Sequence, residues 1–385
     1  MKKILFVVRG YKPDISASGN LINPLIEELK KKHDVYILTS TAREVDLNHI
    51  ERNIFRIHIN DKINSIGRYV NFIKRNFSSL FYNAKIKEVF KHEIERLDSL
   101  YSFDAIIAIT FEEALSLIDS DIDKSKKNLF LLEKIPSSSR ITFIKNYQTR
   151  IARVKIKEMI NSVTNCFLLP IVFNGLKNKN QLKGNVFQLE HPMVVDRVID
   201  NKFSIEENVS FLYAGGIDRY QRNPCKVIEF MAGLPQYIPY TADFFVYGNC
   251  IEDVKAVATK NINIHHAISP EQLDNEYKNS NCLITIGNRE NDIFPSKIFD
   301  CISTGLPIIH FSQSKHDPYY SYLKNYKHSL ILPIDSLSDI NNYTKVVEFL
   351  SYVSNNRIDY TRIYNLFFEC TPEYNAKSLE SVLFK

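Results

Sequence analysis

The feature that most limits the fold is a repeated alternation of short apolar runs with amphipathic helical stretches. It occurs once on each side of a polar, charged stretch at 195–208. The first series holds runs from Ile4 to Val8, Asp34 to Ser40, Ile54 to Ile59, Phe103 to Thr110 and Asn128 to Leu132, then Cys166 to Pro170 and Val186 to Leu189. The second opens with Val209 to Ala214 and continues through Phe244 to Gly248, Asn263 to Ile268, Asn281 to Gly287 and Leu306 to Phe311. Such runs, bounded by turn residues, read as strands buried on both faces of parallel sheets. Strands alternating with helices build βαβ units. The expected fold class is α/β, with two Rossmann-like domains facing a central cleft. Residues 1–194 form the first domain, 195–208 the linker and 209–370 the second domain, with a last helix over 371–385.

The chain has 385 residues, 44% hydrophobic and 24% charged, the profile of an ordinary globular protein. It contains no uninterrupted apolar run of membrane-spanning length. Met1 to Arg9 is too short and too soon charged for a signal peptide, and reads as a strand. The six cysteines are scattered with no Cys-x-x-Cys pair, which points to reduced, buried thiols in a cytoplasmic protein and to no metal site. Residues 1–194 carry a formal charge of +10 and the remainder −5. A basic first half suits an anionic partner such as the inner face of a membrane, a lipid diphosphate or an acidic glycan, and equally suits plain solubility. The basic, aromatic stretch at 63–100 has the same two readings, an interfacial helix or a helix packed on the sheet. No nucleic-acid partner is expected, and the oligomeric state is left open.

In an open parallel sheet, ligands bind beyond the carboxyl ends of the strands. The loop from Arg9 to Asn20 lies there. It lacks Gly-x-Gly-x-x-Gly, so Ser18 and Gly19 read either as a phosphate-facing turn or as a plain helix start. Glu112 and Glu133 follow later strands and are candidate acceptor-side or catalytic carboxylates. Glu112 also suits the first turn of a helix, whose dipole it would complement. In the second half, Gly215 and Gly216 end a strand and precede Arg219, Arg222 and Lys226, a cationic phosphate cradle in which Arg222 ranks ahead of Arg219. Gly248 ends the next strand. Ser269 reads as a helix N-cap. His265 and His266, adjacent on a strand, face opposite sides and do not share an ion.

The most informative stretch runs from Asp292 to His310. Pro295 suits a first helical turn, and Ser296 and Lys297 then stand at a helix start, where amide hydrogens and the dipole favour an anion. Ile298, Phe299 and Ile302 form the buried face, Gly305 closes the helix in the left-handed region, and a buried strand follows. Asp300 lies one turn deeper, placed to grip a sugar hydroxyl. An ordinary capped αβ unit fits the same residues.

Pro295 to Ile309 resembles the nucleotide-sugar signature of GT-B glycosyltransferases over fifteen consecutive positions. In that family the acid at the position of Asp300 bonds the nucleotide ribose, and retaining members carry a second acid eight residues earlier, here Asp292. Both are Asp where the family prefers Glu. The resemblance also places Ser18 and Gly19, the Gly215–Gly216 turn and Arg222 or Arg219 against a donor diphosphate, and the segment ending at Gly248 and the loop at Ile268 in the same donor site. The family's cleft histidine has no counterpart at 100–190.

The resemblance implies a glycosyltransferase moving a sugar from a UDP- or GDP-sugar to a glycan, lipid-linked or protein acceptor. It would retain configuration and use no metal or other cofactor, with Asp292 as a catalytic candidate beside Glu133, which is one by its place after a strand, in polysaccharide or glycoconjugate assembly. The competing readings are a non-catalytic accessory subunit of the same fold, and then a nucleotide-sugar epimerase.

Overall fold

The computed structural model describes residues 1–12, 16–41, 53–58, 84–132, 150, 154–177, 185–200, 202–289, 296–356 and 358–385. The chain divides into two compact units: Met1–Met193 with Glu369–Lys385, and Val194–Phe368.

The first unit holds strands β1 (Lys3–Arg9), β2 (Asp34–Thr41), β3 (Ile54–His58), β4 (Ala105–Ala108), β5 (Lys127–Leu131), β6 (Asn165–Leu168) and β7 (Val186–Gln188). They form one parallel sheet in the order β3-β2-β1-β4-β5-β6-β7. Ile4, Leu5, Phe6, Val7 and Val8 are all fully buried, as a strand covered on both faces must be. Helix Ala17–Lys30 begins four residues before the apolar periodicity that starts at Leu21, because Ser16 caps it: the Gly19 amide donates to Ser16 Oγ at 3.0 Å. Helix Ala84–Tyr101 closes the β3–β4 crossover. The basic, aromatic residues from Arg68 to Tyr82 and most of 141–163 lie outside the described residues.

The final helix, Pro372–Leu383, is capped by Thr371 and packs on Ala17–Lys30. His33 Nε2 lies 2.9 Å from Glu380 Oε1, and the Met193 amide donates to the Cys370 carbonyl at 2.9 Å. Glu369–Lys385 thus belongs to the same unit as Met1–Met193.

The second unit holds β8 (Val209–Ile217), β9 (Tyr240–Gly248), β10 (Ile262–His266), β11 (Cys282–Ile286), β12 (Ile308–Ser312) and β13 (Ser329–Pro333). These too are parallel, in the order β10-β9-β8-β11-β12-β13. Residues 195–208, expected as a linker, belong to this unit. The Val195 amide donates to Ser303 Oγ at 3.2 Å and the Ile199 amide to the Thr304 carbonyl at 2.8 Å, while Phe203 and Ile205 pack against the core. Apolar side chains and backbone hydrogen bonds scattered through a polar stretch anchor it. Gly305 has φ 69° just beyond helix Lys297–Ser303, the left-handed termination expected for it. All six cysteines are free thiols.

Candidate functional site

Strand order reverses direction in each sheet at one place, between β1 and β4 in the first unit and between β8 and β11 in the second. There the crossovers leave to opposite faces, and a crevice opens beyond the carboxyl ends of the strands.

At the second unit's switch point β8 ends in Gly215, Gly216 and Ile217. The chain then makes a tight turn in which Asp218 and Arg222 exchange backbone hydrogen bonds at 3.0 and 2.9 Å. Asp218 Oδ1 accepts from the Tyr220 and Gln221 amides at 2.9 and 2.8 Å, which fixes the turn. The turn brings Arg222 back to the strand end. Its Nε and Nη2 donate to Asn288 Oδ1 at 3.1 and 2.7 Å, and Nη1 reaches the Gly216 carbonyl at 3.4 Å. Tyr213 Oη donates to the same carbonyl at 3.2 Å, and burial pushes its pKa up to about 12.

Among the described residues Arg222 has no carboxylate partner. The other candidate cations do. Arg219 is exposed and donates to Asp253 at 2.8 Å, with its amide on Asn249 Oδ1 at 2.9 Å. Lys297 lies 3.4 Å from Asp300 and over the Tyr277 ring at 5.6 Å. A half-buried guanidinium held only by neutral oxygens keeps its full charge to offer an anion.

Three loops at this end of the sheet are laced together. The Arg289 amide donates to the Gln221 carbonyl at 2.9 Å, and its guanidinium lies 5.0 Å from the centre of the Tyr220 ring. Gln313 Nε2 donates to the Gln221 and Gly287 carbonyls at 2.9 and 2.8 Å. Behind them, Thr285, His310 and Asp317 form a buried chain of hydrogen bonds. Sequence reasoning missed Asn288 as the partner of Arg222, and missed Gln313 and this chain altogether. The one local signal was a histidine inside the apolar run from Leu306 to Phe311.

The structure therefore brings Gly215, Gly216 and Arg222 together, and pairs Lys297 with Asp300. Gly248 has φ 148°, and a Cβ there would stand 1.8 Å from the Ile217 carbonyl oxygen, so only glycine lets β9 end so close to β8. Ile268 is half-buried between β10 and helix Pro270–Lys278, whose capping box joins Ser269 and Gln272. Ser296 is the N-cap residue of helix Lys297–Ser303 but makes no side-chain cap bond. Asp292, Pro295 and Glu133 lie outside the described residues.

At the first unit's switch point, Ser18 and Gly19 occupy the first turn of helix Ala17–Lys30. A Cβ on Gly19 would sit 2.2 Å from the Gly10 carbonyl oxygen, so the residue is set by close packing of the loop. Arg9 and Glu112 form an ion pair. Glu113, in the first turn of helix Phe111–Ile118, is fully buried, and neither of its oxygens has a hydrogen-bond partner among the described residues. Desolvation raises its pKa to about 7; the charge of Glu112 adds to this and Arg9 opposes it. Thr110 and Glu113 have the spacing of a capping box, yet Thr110 makes no cap bond and its hydroxyl has no partner among the described residues.

No protein-family model and no curated protein sequence matches the chain. Solved structures match over its full length. Sucrose-phosphate synthase from Thermosynechococcus elongatus is 12% identical, with a TM-score of 0.67 over 99% of this chain and 98% of that one. The lipopolysaccharide outer core galactosyltransferase WaaB is 12% identical, with 0.61 over 99% of both. The UDP-GlcNAc 2-epimerase from Methanocaldococcus jannaschii is 12% identical, with 0.58 over 99% of both. The chain has the GT-B fold. In this GT-B chain the stretch that carried the resemblance contributes helix Lys297–Ser303 and β12, next to the strand that delivers Asn288. Among its described residues no three metal-binding side chains cluster, and no helix is long and apolar enough to cross a membrane.

Proposed function

We propose that this GT-B protein is a glycosyltransferase that moves a sugar from a UDP- or GDP-sugar to a glycan, lipid-linked or protein acceptor. It acts with retention and without a metal ion. The observation that carries the proposal is Arg222, an arginine at the second unit's switch point held by Asn288 and Gly216 and by no carboxylate among the described residues.

Loss of a nucleoside diphosphate from an anomeric carbon develops negative charge on the leaving phosphate. A positioned guanidinium stabilises that charge more in the transition state than in the ground state. Lys297 supplies a second cation once an anion displaces Asp300, and Asp300 is then released to a ribose hydroxyl. Arg219, already committed to Asp253 at the surface, is left out of this role. Retention rests on the spacing of Asp292 and Asp300; Asp292 keeps the catalytic role that the GT-B resemblance implies, and Glu133 the acceptor-side or catalytic role read from its place after a strand. The positive first half suits a phosphate-bearing acceptor at a membrane's inner face.

The test is calorimetric titration of the protein with UDP and GDP in EDTA, followed by Arg222→Ala. A charged hydrogen bond to phosphate contributes about 1.5–3 kcal/mol, so the variant should bind about 10- to 150-fold more weakly. Equal binding by the variant, or no binding of either nucleotide by the native protein, would overturn the proposal. Product analysis with UDP- and GDP-sugars separates transfer from epimerisation.

A further inference from the structure

We infer that Thr285, His310 and Asp317 form a positioning relay that holds Arg222 and Asn288 in their binding geometry; this rests on the donor-site reading above.

His310 sits in the middle of β12 with no solvent exposure. A histidine there is costly unless both ring nitrogens are satisfied. Its register partner across the sheet is Thr285 on β11, whose Oγ1 lies 2.9 Å from Nδ1. Nε2 lies 3.1 Å from Asp317 Oδ2. A carboxylate only accepts, so Nε2 carries the proton that is donated to Asp317, and Nδ1 accepts the threonine hydroxyl. Asp317 Oδ1 takes the Tyr319 amide at 2.9 Å. The relay is buried along its whole length, with Thr285 6% and Asp317 5% exposed. No substrate reaches it, which excludes a nucleophilic Thr–His–Asp triad and leaves a mechanical role.

The relay ends against the site. Asp317 Oδ2 lies 1.9 Å from where a Cβ on residue 287 would stand, so its carboxylate presses directly on the Gly287 backbone. Gln313, in the same loop, ties the Gly287 carbonyl to the Gln221 carbonyl, and Gln221 also receives the Arg289 amide. Asn288, the acceptor for Arg222, is thereby gripped on both sides, and Arg222 itself follows Gln221. The polar parts of the turn at 218–222 and of the loop at 287–289 converge on the loop that Asp317 and His310 lock to the sheet. A positioned donor gains its value from being held before the ligand arrives.

The experiment compares Thr285→Val, Asp317→Asn and Gln313→Leu, each close in size to the native residue. Gln313→Leu cuts the link at a half-buried loop position without entering the core, so it reports even where a relay variant fails to fold. Solvent exchange of the Arg222 Nε–H is read by NMR, with the signal assigned by its loss in Arg222→Lys. Exchange should quicken at least about tenfold in each folded variant. Affinity for UDP or GDP, whichever the native protein binds, should fall about tenfold. Combining Asp317→Asn with Arg222→Ala should bind no more weakly than Arg222→Ala alone, because the relay acts through that arginine. Unchanged exchange, or additive losses, would overturn the relay, as would a lowered Tm accompanied by native exchange. If the native protein binds neither nucleotide, the proposed function fails, and the exchange measurement still decides the relay.

Discussion

Glu113 makes the stability of the first unit depend on pH in a calculable way. Its carboxyl is fully buried with no hydrogen-bond partner among the described residues, and its pKa is raised to about 7 from an ordinary 4.5. In the unfolded chain the proton leaves near the ordinary value; in the folded protein it is held until near neutrality. Stability contributed by the protonated form is fully present below about pH 4.5 and is lost as pH rises through about 7. The gap of about 2.5 pH units corresponds to roughly 3 kcal/mol at 1.36 kcal/mol per unit. Glu113→Gln keeps the shape and removes the titration. The assay is thermal unfolding of native and variant protein at pH 5 and pH 8, taking the difference in Tm at each. Between pH 5 and pH 8 about 1.8 of those units titrate, roughly 2.5 kcal/mol, so at 2–4 °C per kcal/mol for a unit of this size the advantage of the glutamine should grow by roughly 5–10 °C from the acid to the alkaline side. A difference that stays constant across that range would show that Glu113 is not the buried proton store described here.

Arg219→Ala should leave nucleotide affinity within about twofold of native, since an exposed ion pair contributes little, in contrast to the loss in Arg222→Ala; titration calorimetry on the pair distinguishes them. Gly248→Ala forces a Cβ to within 1.8 Å of the Ile217 carbonyl and should cost the second unit several kcal/mol, about 3 or more, seen as a drop in Tm with loss of nucleotide binding. Ser269→Ala removes half of a formed capping box and should cost about 1 kcal/mol, a fall of roughly 2–4 °C. Burial raises the pKa of every cysteine thiol, so a thiol reagent at pH 8 should label the half-buried Cys225 first and the other five only on unfolding, as mass spectrometry of the modified chain would show.

What could be read from the chain was whatever lies close together along it. The apolar runs at Ile4–Val8 and Leu306–Phe311 announce buried parallel strands, Gly305 its left-handed turn and Ser269 its cap, because each needs only a few neighbouring residues. The grouping of Arg222 beyond Gly215 and Gly216 was legible for the same reason. What was hidden depends on distant partners. Nothing near Arg219 reveals that Asp253 takes it up, and nothing near Arg222 names Asn288. Thr285, His310 and Asp317 meet only through the pairing of β11 with β12. Glu113 drew no reading beside Glu112; its burial depends on how helix Phe111–Ile118 seats on the sheet. Residues 195–208 read as a tether because their apolar residues, Phe203 and Ile205 among them, are diluted by charge.

The split make-up of the first unit has a bearing on synthesis. Its strands leave the ribosome before Val194–Phe368, but helix Pro372–Leu383, which covers Ala17–Lys30, leaves after it. Every residue of Val194–Phe368 is therefore available to fold while the opening lobe still lacks its lid. Nascent protein passes through an interval in which the later-made half is whole and the earlier-made half waits, its apolar helix face bare to chaperones and proteases. A premature stop after Cys370 would prolong that interval for the life of the molecule, crippling the lobe that begins the chain and sparing the one beside the truncation.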